Sequence, residues 1–184
     1  MQTFYIIFSL LACCAALFDF LFYRIPNIIC ILIALVFFMG SIIFYPFEKI
    51  IEALLFSAGT LGISFLLYAV RVLGAGDAKL LAVCALWAGS TNFLLFIFVT
   101  SICGGLLGIF YISFADQIDK IRLKINLFLT KILQDGFMWA FYKRYEDLPF
   151  KSNRSIGSKK LILPYGIAIC GGCLTVTYIK IWGA

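Results

Sequence analysis

The sequence predicts an all-α membrane protein built as a bundle of six transmembrane helices. Three observations predict this fold: the composition, six apolar runs and the uneven placement of the basic residues. Of the 184 residues, 64% are hydrophobic and only 13% are charged, whereas a soluble domain is about 45–50% apolar and about 25% charged. A soluble chain of this length could not bury so much apolar surface. Soluble enzymes, disordered chains and fibrous repeats are therefore excluded.

Six apolar runs approach the length of about 20 residues that a helix needs to cross a bilayer. In chain order they are Phe4–Phe22, Ile28–Tyr45, Ile50–Val70, Leu80–Gly89, Phe93–Phe114 and Leu161–Trp182. No basic residue precedes the first run, so we interpret it as a retained helix and not as a cleaved signal peptide. The fourth run is short, and it spans the membrane only if the glycine-rich stretch from Gly74 already lies at membrane depth. Residues 1–184 are expected to form a single membrane domain.

The basic residues predict the orientation of these helices. All but two of the 15 Lys and Arg residues lie in the loops after the first, third and fifth helices, and the exceptions are Lys49 and Lys180. By the positive-inside rule, these three loops face the cytoplasm and the N-terminus lies outside. The net charge of +6 is the asymmetry expected of a multi-pass protein of the inner (cytoplasmic) membrane, so it requires no nucleic-acid partner.

The long polar stretch at residues 116–160 is predicted to be a cytoplasmic loop between the fifth and sixth helices. Its first part is typical of a basic amphipathic helix lying on the cytoplasmic leaflet. A tether between two helices and a substrate-binding element both remain open, and residues 143–160 are expected to be a flexible loop. The basic face consists of Lys120, Lys124 and Lys131, and the apolar face consists of Ile118, Ile121, Ile125, Phe128, Leu129 and Ile132.

The chain contains no histidine. This excludes Ser-His and Cys-His nucleophilic pairs, HExxH zinc chemistry and histidine proton shuttles. The seven cysteines all lie in apolar runs, where we expect them to pack as small apolar side chains, with no metal site and no cofactor. They are Cys13, Cys14, Cys30, Cys84, Cys103, Cys170 and Cys173. Any chemistry must therefore depend on carboxylates, Lys, Cys, Tyr or the backbone.

Two carboxylates lie within apolar helices, where a charge costs at least about 2.5–3.5 kcal/mol near the helix centre. Asp19 is about one turn inside the cytoplasmic end of the first helix, and Asp77 is at the cytoplasmic start of the fourth. If the two approach closely, both cannot be ionised, and one keeps a proton while the other does not. That pair is the acid/base equipment for amide hydrolysis, in which one carboxylate activates water and the other polarises the scissile carbonyl.

Non-catalytic roles fit the same two residues. Asp19 and Asp77 are also suited to line a cation pathway, as in a small ion-coupled transporter, or to pair with Arg24, Arg71 or Lys79. From composition and topology alone, the catalytic and the non-catalytic interpretations remain equally open. The glycines at 74 and 76 favour a site where an extended peptide lies against the backbone, since glycine permits close approach.

Three short blocks resemble the motifs of one peptidase family. Gly74-Ala75-Gly76-Asp77-Ala78-Lys79-Leu80-Leu81 resembles the GxGD signature of intramembrane aspartyl proteases, in the form found in prepilin peptidases. Asp19-Phe20-Leu21-Phe22-Tyr23-Arg24-Ile25-Pro26-Asn27 is similar to a second block, and Leu163-Pro164-Tyr165-Gly166 to a third, weaker one. The blocks fall in order on the first, fourth and sixth helices.

The resemblance implies a type IV prepilin-like leader peptidase with Asp19 and Asp77 as its catalytic pair at the cytoplasmic face. Substrates of such enzymes carry a short basic leader, then a glycine, then an apolar helix, and the leader is removed before the pilin assembles. The implied partners are thus a prepilin-like substrate, the lipid bilayer and pilus-assembly proteins. The other residues carried over from the motifs are Gly74, Gly76, Lys79, Arg24, Pro26, Asn27, Pro164, Tyr165 and Gly166. Pro26 and Asn27 are expected to end the first helix and begin a turn, and Pro164 to break the last helix and free backbone groups near the site. For Lys79, orienting the substrate, biasing the protonation of the pair and marking the cytoplasmic flank all remain open.

The start of the sequence indicates which members of that family it resembles most. Longer bacterial members have an N-terminal segment with paired CxxC motifs and also methylate the new N-terminus, whereas this sequence starts at the helix that carries Asp19. It is closer to the short members that serve Flp-type (tight-adherence) pili, so methyl transfer is not expected. Archaeal preflagellin peptidases are the nearest alternative.

Overall fold

The computed structural model describes residues 1–133 and 163–183 of the chain, and this part contains helices joined by short turns and no strand. By length and composition, five helices in the described part can cross a membrane. The all-α membrane fold predicted from the sequence is therefore confirmed. The elements in chain order are α1 (Gln2–Phe22), α2 (Asn27–Phe44), α3 (Phe47–Ala69), α4 (Ala75–Leu133) and α5 (Tyr165–Trp182).

Residues that do not continue a helix mark the boundaries of the first three elements. α1 ends at Phe22, and the backbone of the next residue, Tyr23, is left-handed (φ 50°, ψ 35°). Pro26 and Pro46 directly precede α2 and α3 in an extended conformation. Proline suits this place because it has no N–H to donate and the first helical N–H groups have no partner within the helix. The turn predicted at Pro26 therefore separates α1 from α2.

Gly89 interrupts α4 and reverses the direction of the chain. Its backbone has φ 57° and ψ −176°, a conformation that is essentially restricted to glycine. Asp77, before this break, lines the same cavity as Tyr165. Gly104, after the break, also lies against Tyr165, since a Cβ placed on it would be 3.2 Å from the ring. The chain therefore returns to the level of Asp77 after passing Gly89.

The two antiparallel parts of α4 correspond to the predicted fourth and fifth helices. We call residues 75–88 the first arm and residues 90–113 the second arm. The fourth helix was predicted at Leu80–Gly89, but it begins earlier, directly after Gly74. At 1.5 Å per residue the first arm rises about 21 Å, less than the roughly 30 Å of a hydrocarbon core. Gly76 is thus in the first turn of this helix, and Gly74 directly precedes it.

The buried core lies where α1, α2, the first arm of α4 and α5 meet. At one end of it Trp87 stacks on Phe8, with ring centroids 4.6 Å apart. Tyr5 and Phe37 contact the same indole edge to face. The indole N–H donates to the backbone oxygen of Ile33 at 3.2 Å. These contacts join three helices at the end of the bundle opposite Asp19.

The outward faces of the helices are apolar and exposed. α3 buries Ala53, Thr60 and Ser64 along one stripe that faces α4. Large side chains on the outer faces, such as Ile42 and Leu94, are 75% and 80% exposed. Apolar surfaces this extensive are expected to contact lipid.

The last part of α4, which we call the terminal arm (residues 115–133), begins after a second break at Phe114. The sequence predicts one apolar face there, but the structure divides it: Ile118 is buried, whereas Ile121, Ile125 and Phe128 are exposed. The prediction of a single lipid-facing side is therefore wrong for Ile118, because this side of the helix packs on the protein. The predicted flexible loop at residues 143–160 lies outside the described residues.

Candidate active site

Asp19 and Asp77 line one cavity of about 340 Å³. It lies where α1 ends and where both α4 and α5 begin, and it is open on one side. Asp19 is 5% exposed in the last turn of α1, and Asp77 is in the first turn of α4. The two carboxylates are close enough to interact electrostatically. The structure thus brings together the two carboxylates that the sequence placed at one depth and on one side.

A backbone hydrogen bond fixes Asp19. The N–H of Gly166 donates to Oδ2 of Asp19 at 2.6 Å. Gly166 is in the first turn of α5, where backbone N–H groups have no partner inside the helix. A Cβ on Gly166 would lie 2.9 Å from both Cβ and Oδ2 of Asp19, which is too close for any side chain. Glycine at this position therefore lets α1 and α5 approach closely enough for the bond.

The second carboxylate is held in the same manner at the start of α4. The Asp77 carboxylate accepts a hydrogen bond from the backbone N–H of Gly74, the residue before the helix. A side chain three residues into a helix that binds back to the residue before it is the reciprocal half of a capping box. A Cβ on Gly74 would lie 2.7 Å from Oδ2 of Asp77. Each carboxylate thus uses a helix-start N–H, and each has a second oxygen that this bond does not occupy.

Two of the sequence blocks pack against each other where α2 and α4 begin. Nζ of Lys79 donates to Oδ1 of Asn27 at 3.2 Å. A Cβ on Gly76 would meet Cβ of Ile25 at 3.4 Å and its backbone nitrogen at 3.6 Å. Lys79 therefore connects the start of α2 to the first arm of α4, a contact that the sequence did not predict.

The remaining residues of the blocks have different positions. Tyr165 lines the cavity, while Arg24 is exposed and is not part of the cavity wall. Pro164 was expected to break the last helix and free backbone groups near the site. It instead precedes α5, and the free group is the N–H of Gly166 at the helix start. Pro164 therefore marks the N-terminus of α5 and does not interrupt a longer helix. Proline is tolerated at a helix start but not in a helix interior.

The structural ion pair considered from the sequence is not formed. In residues 1–133 and 163–183, neither aspartate makes a salt bridge with Arg24, Arg71 or Lys79. The described part of the chain also has no group of three or more Cys, Asp or Glu placed to hold a metal ion. The polar groups that the described residues place around the cavity are the two carboxylates, Arg71, the tyrosines and the backbone.

Sequence reasoning missed much of the cavity wall. Tyr23, Tyr68 and Leu163 line it, together with Arg71, which the sequence suggested only as an ion-pair partner. Tyr23 and Arg71 have positive φ values of 50° and 62°, and each follows the end of a helix. A left-handed residue after a helix is not visible in the sequence when it is not glycine. The feature of the sequence that could have indicated Tyr23 and Arg71 as cavity residues is that they lie near Asp19 and Asp77 in the chain.

Comparison with known proteins gives one finding. A family model described as the type IV leader peptidase family matches residues 6–109, a stretch that contains Asp19 and Asp77. No curated protein and no solved structure matches the chain.

Proposed function

The chain belongs to the type IV leader peptidase family, and from this premise we propose that it is a membrane-embedded aspartic endopeptidase of prepilin-like substrates. It would remove the basic leader at the cytoplasmic face, for assembly of a type IV or Flp-type pilus or for a related secretion system. The observation that carries this proposal is the pairing of Asp19 and Asp77 in one cavity.

The two carboxylates suit direct attack by water. The ionised carboxylate accepts a proton as the water oxygen bonds to the scissile carbonyl carbon, and the protonated carboxyl group donates to the carbonyl oxygen. The C–N bond then breaks, and a proton passes to the leaving amine. One water is consumed, and the products are a new carboxylate and a new N-terminus. The bonds from Gly166 and Gly74 support this proposal because they hold one oxygen of each carboxylate in place while the other can reach the substrate.

The position of the cavity supports access from the cytoplasm. The placement of Lys and Arg predicts that the ends of α1 and α3 and the start of α4 lie on the cytoplasmic side. The first arm of α4 is shorter than the hydrocarbon core is thick. A scissile bond at the border between a polar leader and an apolar helix would therefore reach a cavity recessed slightly below the membrane surface.

The proposal is tested with the purified full-length protein in liposomes. The substrate peptide carries a basic leader, a glycine and an apolar helix, and a control peptide carries valine in place of the glycine. We expect cleavage after the glycine in the first peptide, detected by mass spectrometry, and no cleavage in the second. The double variant Asp19→Asn/Asp77→Asn should not cleave.

A matched control removes a carboxylate elsewhere. Glu52 is in α3 and forms a salt bridge with Lys49 at 3.0 Å, away from the cavity, so Glu52→Gln should cleave like the wild type. If the wild type does not cleave and the double variant instead alters ion flux into the liposomes, the protein is an ion-coupled transporter. If the double variant matures its substrate like the wild type, the aspartates are not catalytic. Cleavage of a panel of peptides with prepilin-type and preflagellin-type leaders then shows which of the two substrate classes the protein processes.

A further inference from the structure

The terminal arm of α4 places a buried arginine next to the cavity. Arg122 is 4% exposed, and its guanidinium carbon lies 4.1 Å from the centroid of the Tyr23 ring. A guanidinium over an aromatic face is attracted by the ring quadrupole, and the attraction is greater when both groups are desolvated. The neighbouring Lys120 and Lys124 are exposed. Arg122 thus brings this basic segment into contact with the end of α1 that carries Asp19.

Tyr23 connects that contact to the site. It follows the last turn of α1, and its backbone N–H donates to the backbone oxygen of Asp19 at 2.8 Å. Its backbone is left-handed, with φ 50°, an uncommon conformation for a bulky residue. Tyr23 also lines the cavity that contains Asp19 and Asp77. Arg122 of the terminal arm thus contacts one face of the Tyr23 ring. Tyr23 also borders the space where a substrate would bind.

We propose that Arg122 is a positioning residue that holds Tyr23 as a preformed wall of the substrate-binding cavity. This inference rests on the proposed function and adds to it a role for the terminal arm, which the sequence left open between a tether and a substrate-binding element. Arg122 acts through Tyr23 and does not contact the reacting atoms. The Asp19 carboxylate is fixed separately by Gly166. Loss of Arg122 should therefore weaken substrate binding more than it slows the chemical step.

The test compares steady-state cleavage of the leader peptide by variants of the full-length protein. Arg122→Gln should raise KM about threefold to 30-fold, the range between an exposed and a desolvated cation–π contact, with kcat changed less than about twofold. Arg122→Lys keeps a cation near the ring and should recover part of the loss. Tyr23→Leu should raise KM like Arg122→Gln, and Tyr23→Phe should raise it less because the ring remains. Lys124→Gln removes an exposed charge from the same arm and should leave both constants unchanged.

A merely structural role for Arg122 gives a different result. It would lower the active fraction, so kcat per mole would fall with KM unchanged, and Arg122→Lys would not recover KM. An effect of the arginine charge on the substrate leader would appear in Arg122→Gln but not in Tyr23→Leu. Either result overturns the proposal.

A double-mutant cycle measures the contact without any substrate. Thermal unfolding in detergent of Arg122→Gln, Tyr23→Leu and the double variant should be non-additive, with the double variant losing less stability than the sum of the two single losses. Additive losses would show that the two side chains do not interact, which overturns the inference. If the wild type cleaves no leader peptide, the proposed function fails, and this cycle still tests the Arg122–Tyr23 contact separately.

Discussion

Gly166 and Asp19 are 147 positions apart in the chain, and a hydrogen bond of 2.6 Å joins them. The bond runs from the first turn of α5 to the last turn of α1, so it joins these two helices at the cavity. It leaves no space for a side chain at position 166, since a Cβ there would lie 2.9 Å from the carboxylate. Gly166 belongs to the weakest of the three sequence blocks. Glycine is needed there because no side chain fits beside Asp19.

Substitution of Gly166 by alanine should therefore displace the Asp19 carboxylate. We expect Gly166→Ala to reduce kcat/KM about 100-fold, the scale of a displacement of roughly 1 Å in a catalytic group. Gly105 has open space where its Cβ would be, so Gly105→Ala is the matched control and should cleave normally. Wild-type cleavage by Gly166→Ala would contradict the role assigned to this glycine.

Alanine at Gly74 should act on the other carboxylate. A Cβ there meets Oδ2 of Asp77, so the side chain must rotate and lose its bond to the backbone N–H. We expect kcat to fall about tenfold to 100-fold while the unfolding temperature remains close to wild type, since Gly74 is exposed. Cleavage kinetics and thermal unfolding measure both effects, and Gly59→Ala, with open space around it, is the control. An unchanged kcat would show that this contact does not orient Asp77.

The bond between Lys79 and Asn27 should contribute to packing and not directly to chemistry. Because Lys79 is exposed and binds Asn27, we expect Lys79→Ala and Asn27→Ala each to destabilise the protein by about 0.5–1 kcal/mol. Their effects should be non-additive in unfolding experiments, and cleavage should fall less than about tenfold. A loss of activity as large as that of an aspartate variant would place Lys79 in the catalytic step instead.

The rate should depend on pH with a maximum. A pair that needs one ionised and one protonated carboxyl loses activity in acid, when the base is protonated, and in alkali, when the acid is ionised. We therefore expect kcat/KM for the leader peptide to fall on both sides of an optimum, and the two midpoints describe the pair and not either residue. A rate that rises through a single step and then stays constant would contradict a shared proton.

The reversal at Gly89 should require glycine. Its φ of 57° and ψ of −176° cost other residues about 1–3 kcal/mol. Gly89→Ala should therefore lower stability by that amount in thermal unfolding, whereas Gly62→Ala in α3, where the added methyl meets open space, should be neutral or slightly stabilising. Equal stability of the two variants would mean that the turn tolerates a Cβ.

The sequence predicted what depends on local composition. The helices were predicted from apolar runs. The positions of Asp19 and Asp77 in these runs, together with the basic loops, predicted that both lie at a similar depth on one side of the membrane. Both predictions depend only on the composition of short stretches. For the reversal at Gly89, the sequence showed only a short gap between two apolar runs and not the turn itself. The contact of Arg122 with Tyr23 could not be predicted, since periodicity shows that a helix has two faces but not which residue of another helix covers one of them.

The most direct test of the central claim is the activity of single aspartate variants. If Asp19 and Asp77 act as one pair, Asp19→Asn and Asp77→Asn should each be as inactive as the double variant, because residues that act as a unit are strongly non-additive. Cleavage of the leader peptide, followed by mass spectrometry with Glu52→Gln alongside, measures this. Substantial cleavage by either single variant, in protein that unfolds like the wild type, would contradict the account.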